Sequence, residues 1–420
     1  MSKDKISEYC FYLWLFILPW QTKLILHAAP VNYLEISFFI SWLLLLVPIF
    51  IWGERIFKQD YWRFKSGTNK PAWWQALIIW EIITFFSIFW ADNKLLALFR
   101  YLILVLGILL FYLVKRPDFI KAANVVKVFL IGLIPPAILG IWQFFAQNAF
   151  ANKYLGLAYH SANILGDSII ETSTGRYLRA YGSFDHPNIL GGMMVVALIL
   201  VLYSSLKKEI GRNARLFYLI GFSIFYTALL VSFSRSGILA FFIPALFIIV
   251  NAWRRGIFQK KLIGLFILLI IFISAVIIIP YQDVFFVRVQ TQSRLEQKSL
   301  SERELYLKQA VSLIKQKPIL GTGAGNYILE LQKIIPGQAI WYYQPVHNYW
   351  LLLWGEIGIF GLLSALFFWL AIIKLSVKKH LWPLGLTLII ISLFDHWLWT
   401  QPLGLILFFL LAGLMIKNDI

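Results

Sequence analysis

Four residues far apart in the chain have the right types for one kind of chemistry: Arg179, Arg235, Arg303 and His347. A guanidinium presents a planar fork of donors that matches a phosphate, so arginines converging on one place would bind a phosphorylated group. A neutral imidazole titrates near pH 6.5 and is suited to accept a proton from a hydroxyl. Each residue alone has a plainer reading. Arg303 would be a solvated surface residue, Arg235 a snorkelling side chain at a membrane interface, and His347 a hydrogen-bonding residue at a helix start. What separates the two readings is whether the intervening elements bring the four to one side.

Composition defines those elements. Of 420 residues 60% are hydrophobic and 14% charged, and the mean hydropathy is +0.75. Soluble domains are roughly half apolar and about a quarter charged. The repeated apolar runs of about 20 residues each suit spanning helices. They are apolar on all faces, which excludes the alternating strands of a membrane barrel. We expect one all-α polytopic membrane domain over residues 1–420, with about twelve spans near 9–26, 33–52, 73–90, 95–114, 124–146, 188–206, 216–232, 236–252, 262–280, 347–373, 381–396 and 400–416. Pro19, Gln21 and Lys23 interrupt the first run without a small-x-small site, so it reads as an uncleaved helix rather than a signal peptide. The single cysteine, Cys10, excludes an intrachain disulfide.

A net charge of +18 would suggest nucleic acid in a soluble chain. Here the cations alternate with the spans instead. With the N-terminus inside, the inner connections carry groups such as Arg55 to Lys70, Lys115 to Lys127, Lys207 to Arg215, Arg254 to Lys261 and Lys374 to Lys379. The short outer connections carry only Lys23, Lys94 and Arg235. That pattern predicts cytoplasmic termini. Two long outer segments remain, Gln147 to Asp185 and 281–345. The second holds eight basic residues, including Arg288, Arg294 and Arg303, which topology does not explain.

Within 281–345, Ser301-Glu-Arg-Glu304 fits a capping box, predicting a helix from Ser301 to Lys317 with Arg303 in its first turn. Its stripe is Leu307, Val311 and Ile314, and Pro318 ends it. Gly321-Thr-Gly-Ala-Gly325 resembles a phosphate loop only weakly, because it does not lie between a strand and a helix N-terminus; a tight turn is expected. His347-Asn348 opens the tenth span. Glu81, Arg100, Glu356 and Asp395-His396 are intramembrane ionisable groups and hence functional candidates, with a Glu81–Arg100 pair as a structural option. The outer segments contain no DxD pair or His cluster, so no metal or other cofactor is expected.

At these residues the chain resembles the O-antigen ligase and polymerase superfamily of bacterial membrane glycosyltransferases. The matching pieces are Arg179-x-x-Gly-x-Phe-x-His-Pro-Asn188, Ser234-Arg235-Ser236, Arg303 followed by Lys317-Pro-Ile-Leu-Gly-Thr-Gly-Ala-Gly-Asn326, and His347-Asn348 followed by Glu356-x-Gly-x-x-Gly361. They cover about residues 175–370; the first 150 residues match only as a run of spans. The resemblance implies a GT-C-like helical fold of about twelve helices, with a large extracytoplasmic loop, in the bacterial inner membrane. It also implies an undecaprenyl-diphosphate-linked glycan as donor. His347 falls where the family has its catalytic base, Arg235 and Arg303 where it has essential arginines. Arg179, His186, Asn188, Asn348 and Glu356 are the expected substrate contacts. The implied mechanism is inverting and metal-independent.

The acceptor is open between a lipid-core sugar (a ligase), a second lipid-linked repeat (a polymerase) and a protein hydroxyl (an O-oligosaccharyltransferase). The late position of the long loop favours the ligase. A transporter or flippase for the same lipid-linked glycan is the alternative of another class, but it would place charges at the midplane and show repeat symmetry. A scaffold for other glycan enzymes would have no need of His347.

Overall fold

The architecture is that of a computed structural model, described for residues 2–65, 72–116, 118–206, 210–254, 260–290 and 293–417. Lys70, Lys207, Lys208 and Arg255 of the inner charge groups lie outside the described residues. In chain order the structure runs α1 (Lys3–Ile17), β1 (Lys23–His27), β2 (Ile36–Phe39), α2 (Trp42–Lys65), α3 (Ala72–Trp90), α4 (Lys94–Lys115) and α5 (Ala122–Ala146). Short strands follow: β3 (Asn148–Ala149), β4 (His160–Ser161), β5 (Ile169–Glu171) and β6 (Arg176–Leu178). Then come α6 (Pro187–Ser205), α7 (Arg212–Ser232), α8 (Arg235–Arg254), α9 (Lys260–Ile278), α10 (Gln282–Gln290), α11 (Arg294–Gln316) and α12 (Tyr327–Ile334). The chain closes with α13 (Tyr349–Val377), α14 (Trp382–Phe394), α15 (Trp397–Thr400) and α16 (Pro402–Ile416).

Among the described residues eight helices are long and apolar enough to cross a membrane, and Trp42–Gly53, Trp382–Phe394 and Pro402–Ile416 are shorter apolar helices. The chain is an all-α membrane protein. The first two expected spans are corrected. The first helix ends at Ile17, and residues 23–39 form an antiparallel hairpin with Lys23 opposite Phe39. Pro19 cannot continue the ladder of a helix, and Lys23 pairs with Glu35 at 2.6 Å across the hairpin. Polar groups that would be costly in a span are thereby satisfied locally.

α6 is buried along nearly its whole length and forms the centre of the bundle. Helices approach it closely where side chains are absent. A Cβ on Gly191 would come within 2.5 Å of Ser234 Cβ, and one on Gly192 within 2.6 Å of the Trp397 ring. This is the small-residue contact that drives packing when lipid removes the hydrophobic difference. Opposite, Trp80 stacks on Phe409 at 5.7 Å.

The two ends of the bundle differ. At one end Asp4 takes Trp52 Nε1–H at 2.9 Å, Trp52 stacks on Phe119 at 4.9 Å, and Lys417 Nζ donates to the Arg116 carbonyl at 2.6 Å. Both chain ends therefore lie together. At the other end the hairpin, the strands β3–β6 and helices α10–α12 form a cap. Thr22 Oγ1 donates to the Tyr154 carbonyl at 2.8 Å, and Arg294 pairs with Glu171 at 3.2 Å.

Candidate active site

The cap encloses a cleft of about 400 Å³. Its walls include Arg179, His186, Asn188, Arg235, Arg303 and His347, so the two arginines and histidine expected to be catalytic meet there with three of the expected substrate contacts. Seven basic side chains line it against three carboxylates (Asp167, Glu296 and Glu302).

Each group arrives by a distinct local rule. Arg179 leaves β6 and is buried; its Nε donates to the Ser232 carbonyl at 2.9 Å and its Nη2 to Asn188 Oδ1 at 2.8 Å. Asn188 is fixed because His186 caps α6, accepting the Asn188 N–H at Nδ1 (3.1 Å), with Pro187 in the first turn. Arg235 begins α8, where Phe233 in the left-handed region (φ 50°) ends α7. Its Nη2 lies 3.3 Å from Glu296 Oε2.

Glu296 and Arg288 were not singled out as site residues by sequence. Glu296 is only 3% exposed and bridges Arg235 and Arg288, whose Nη2 also donates to the Phe233 carbonyl at 2.9 Å. Nothing in the spacing of 288 and 296 along two separate helices marks them; only the fold makes them a clamp. Arg303 lines the cleft and, among the described residues, makes no ion pair.

The predicted capping box is not formed. α11 starts at Arg294 after Ser293, Ser301 lies inside it and donates to the Lys298 carbonyl at 2.9 Å, and Glu304 pairs forward with Lys308 at 2.6 Å. Arg303 is thus in mid-helix, not beside the N-terminal dipole. The buried stripe is Tyr306, Gln309, Ala310, Leu313 and Ile314, while Leu307 and Val311 are exposed. The longer helix shifts the face by the choice of partner: Tyr306 packs toward the His347 ring at 6.2 Å. Burial, then Glu302, pushes the Tyr306 phenol up to about 12, so it is a donor and not a base.

His347 stands just before α13. Its Nδ1 is 3.9 Å from Asp395 Oδ1, and its ring centroid is 5.0 Å from that of His396. Asp395 is held by Asn188 Nδ2 at 2.9 Å and by the His396 N–H at 2.8 Å. The carboxylate thus lies beside the Nδ1 edge of His347, beyond hydrogen-bond distance, and Nδ1 has no hydrogen-bond partner among the described residues. His347, Asp395 and His396 also place their ligand atoms within 4.8 Å of one another, a spacing that suits a cation. The sequence expectation of no His cluster is corrected to this extent: 48 residues of chain separate groups that the fold joins.

Electrostatics favour an anion. Burial, then the Arg288 guanidinium, pushes the Arg179 proton affinity well down, and a guanidinium relieves this by binding negative charge. Burial, then Arg179, lowers His186 to about 3, so it is neutral and serves as a cap.

Two expected contacts are placed elsewhere. Asn348 caps α13, accepting the Leu351 N–H at 3.0 Å and donating to the Leu393 carbonyl at 3.1 Å. Glu356 is buried away from the cleft, where it accepts Gly325 N–H at 2.6 Å and Trp399 Nε1–H at 2.7 Å. The glycine turn folds onto this carboxylate: Thr322 and Gly323 donate to the carbonyls of Gly355 and Glu356. α13 breaks at Gly358 (φ 72°), where a Cβ would sit 1.8 Å from the Ile319 carbonyl oxygen. The suggested Glu81–Arg100 pair is also absent among the described residues. Arg100 donates to the carbonyls of Tyr33 and Thr400, and Glu81 accepts from Tyr101 at 3.4 Å.

No curated protein matches the chain. Residues 219–368 match the family model described as O-antigen ligase. The matched segment carries Arg235, Arg303 and His347, and it supports placing the chain in the O-antigen ligase and polymerase superfamily.

Proposed function

We propose that the chain is a glycosyltransferase that moves a glycan from undecaprenyl diphosphate to an acceptor hydroxyl, at the extracytoplasmic face of a bacterial inner membrane with both termini cytoplasmic. One observation carries the reading: a single cleft combines a surplus of guanidiniums with an imidazole backed by a buried carboxylate. His347 Nε2 takes the proton of the acceptor hydroxyl. The oxygen attacks the anomeric carbon, and the bond from that carbon to the diphosphate oxygen breaks. Arg235, Arg303, Arg179 and Arg288 hold the diphosphate and take up its growing charge as it leaves. Asp395 orients the imidazole and stabilises its protonated form. Attack opposite the leaving group inverts the anomeric centre.

In a second reading of the same site, His347, Asp395 and His396 would hold a cation, which would supply Lewis-acid activation of the hydroxyl. The arginine cluster nearby disfavours a cation there, and the metal-free reading is the one adopted.

Purified protein is incubated with undecaprenyl-diphosphate glycan and candidate acceptors (lipid core, lipid-linked repeat, or peptide) with and without EDTA. Transfer that survives EDTA and is lost in His347→Ala and Arg235→Ala supports the proposal. Undiminished transfer by both variants overturns the site, and loss on chelation overturns the metal-free chemistry. The ligase is favoured among acceptors by the position of the long loop late in the chain.

A further inference from the structure

A second cavity of about 300 Å³ lies in the same cap and is bordered by Thr400, which bonds His396. It is lined by the hairpin (Lys23, Glu35), the β3–β4 segment (Lys153) and the chain around Asp185 and Gln401. Both cavities fall near the small end of the about 300–1,000 Å³ range of ligand sites. Their electrostatics differ. In the second, Lys23 is neutralised by Glu35 at 2.6 Å, and Arg100, at its edge, is committed to two backbone carbonyls. With Arg100 and Lys153 against the exposed Asp185, the lining carries one net positive charge, against four in the cleft, together with amides and hydroxyls. A diphosphate gains little there, whereas an uncharged polyhydroxyl compound finds donors and acceptors of both kinds.

The two cavities share a wall. Asp185 faces the second and the adjacent His186 the first. Thr400 lines the second and its Oγ1 bonds His396 Nδ1 at 2.9 Å, while the His396 ring lies against His347. Tyr33, in the hairpin's connection, meets the His396 ring edge-on at 5.4 Å. We infer that the second cavity binds the acceptor as an uncharged saccharide end, and that this end presents its hydroxyl past the His396 wall to His347. The inference rests on the glycosyl-transfer reading above and adds to it the place and chemical class of the acceptor.

The test plugs the cavity without touching the cationic cleft. Ala158, an exposed residue of its lining, is changed to cysteine in full-length protein carrying Cys10→Ser, and the thiol is labelled with a bulky maleimide. Two quantities are read: binding of undecaprenyl diphosphate, and glycan transfer in membranes from cells lacking this protein, which hold both substrates. The expected result is about a tenfold or greater loss of transfer on labelling, with undecaprenyl diphosphate affinity within about twofold. Asp185→Asn and Glu35→Gln, unlabelled, are expected to raise the acceptor concentration for half-maximal rate by about tenfold. Transfer unchanged by the label and by both substitutions overturns the inference, as does a fall in diphosphate affinity that parallels the loss. If His347→Ala retains full transfer in the same assay, the parent reading fails instead, so the two failures are distinct.

Discussion

Substrate contacts were expected from the sequence both in the cationic cleft and at Glu356, and the structure makes the two regions opposites. Around Glu356 the polar groups close on one another: the carboxylate accepts from Gly325 N–H and Trp399 Nε1–H, and the glycine turn's amides donate to the carbonyls of α13. The carboxylate and the turn's amides are thus partnered by the protein itself. In the cleft the guanidiniums outnumber the carboxylates, and Arg303 has no ion-pair partner among the described residues. Buried cations left in surplus are a cost to folding that a bound anion offsets. The contrast teaches that polarity marks a site only where its hydrogen-bonding and charge are left incomplete by the protein itself.

Substitutions in the two regions should therefore separate activity from stability. His347→Ala is expected to lower transfer by about 10³-fold, near 4 kcal/mol in barrier, with an unchanged melting temperature. A rate within tenfold of wild type would remove His347 from the chemistry. At the break in α13, Gly358→Ala drives a Cβ into the Ile319 carbonyl in the left-handed region. The expected cost is about 3 kcal/mol of stability, seen as loss of monodisperse protein in detergent, with activity per folded molecule retained. Normal thermal stability would show that the break in α13 is not needed.

Arg235→Ala should cost about 10²-fold in transfer and weaken undecaprenyl diphosphate binding, and lysine should restore little because it lacks the fork. Full rescue by lysine would reduce Arg235 to a point charge. Glu356→Gln keeps shape but replaces an acceptor by a donor facing amide N–H groups. We expect about 2 kcal/mol of destabilisation and turnover within about twofold, and a selective loss of turnover would return Glu356 to the site.

The smallest effect is with pH. His186 is held well below its unfolded value near 6.5. Its neutral form favours the folded state, so this stability is present above pH 6.5 and is lost as pH falls toward about 3. Between pH 7 and 6, His186→Asn should lose about 0.7 kcal/mol less stability than the parent in thermal shift. Parallel losses would mean that His186 already titrates normally.

Composition and apolar run length determined the membrane class and most of the helices, because spanning lipid requires long segments whose backbone is satisfied within themselves. Residue type made Arg235, Arg303 and His347 candidates beside plainer readings, and the resemblance of the motifs around them gave them their expected roles. The hairpin at 23–39 was read as spans, because its strands are apolar enough to resemble helix until Lys23 and Glu35 are seen to pair. The capping box at Ser301 satisfied a local rule that the tertiary context overrode: α11 gained another two turns by packing on the bundle and on β5. What only the tertiary structure decided was partnership. Arg288 with Glu296, Asp395 with His347, and Glu356 with Gly325 join groups 8, 48 and 31 residues apart in chain order. A side chain's type states which interactions it can make; whether it spends them on the protein or keeps them for a substrate depends on neighbours brought together by packing, and linear spacing holds no record of those neighbours.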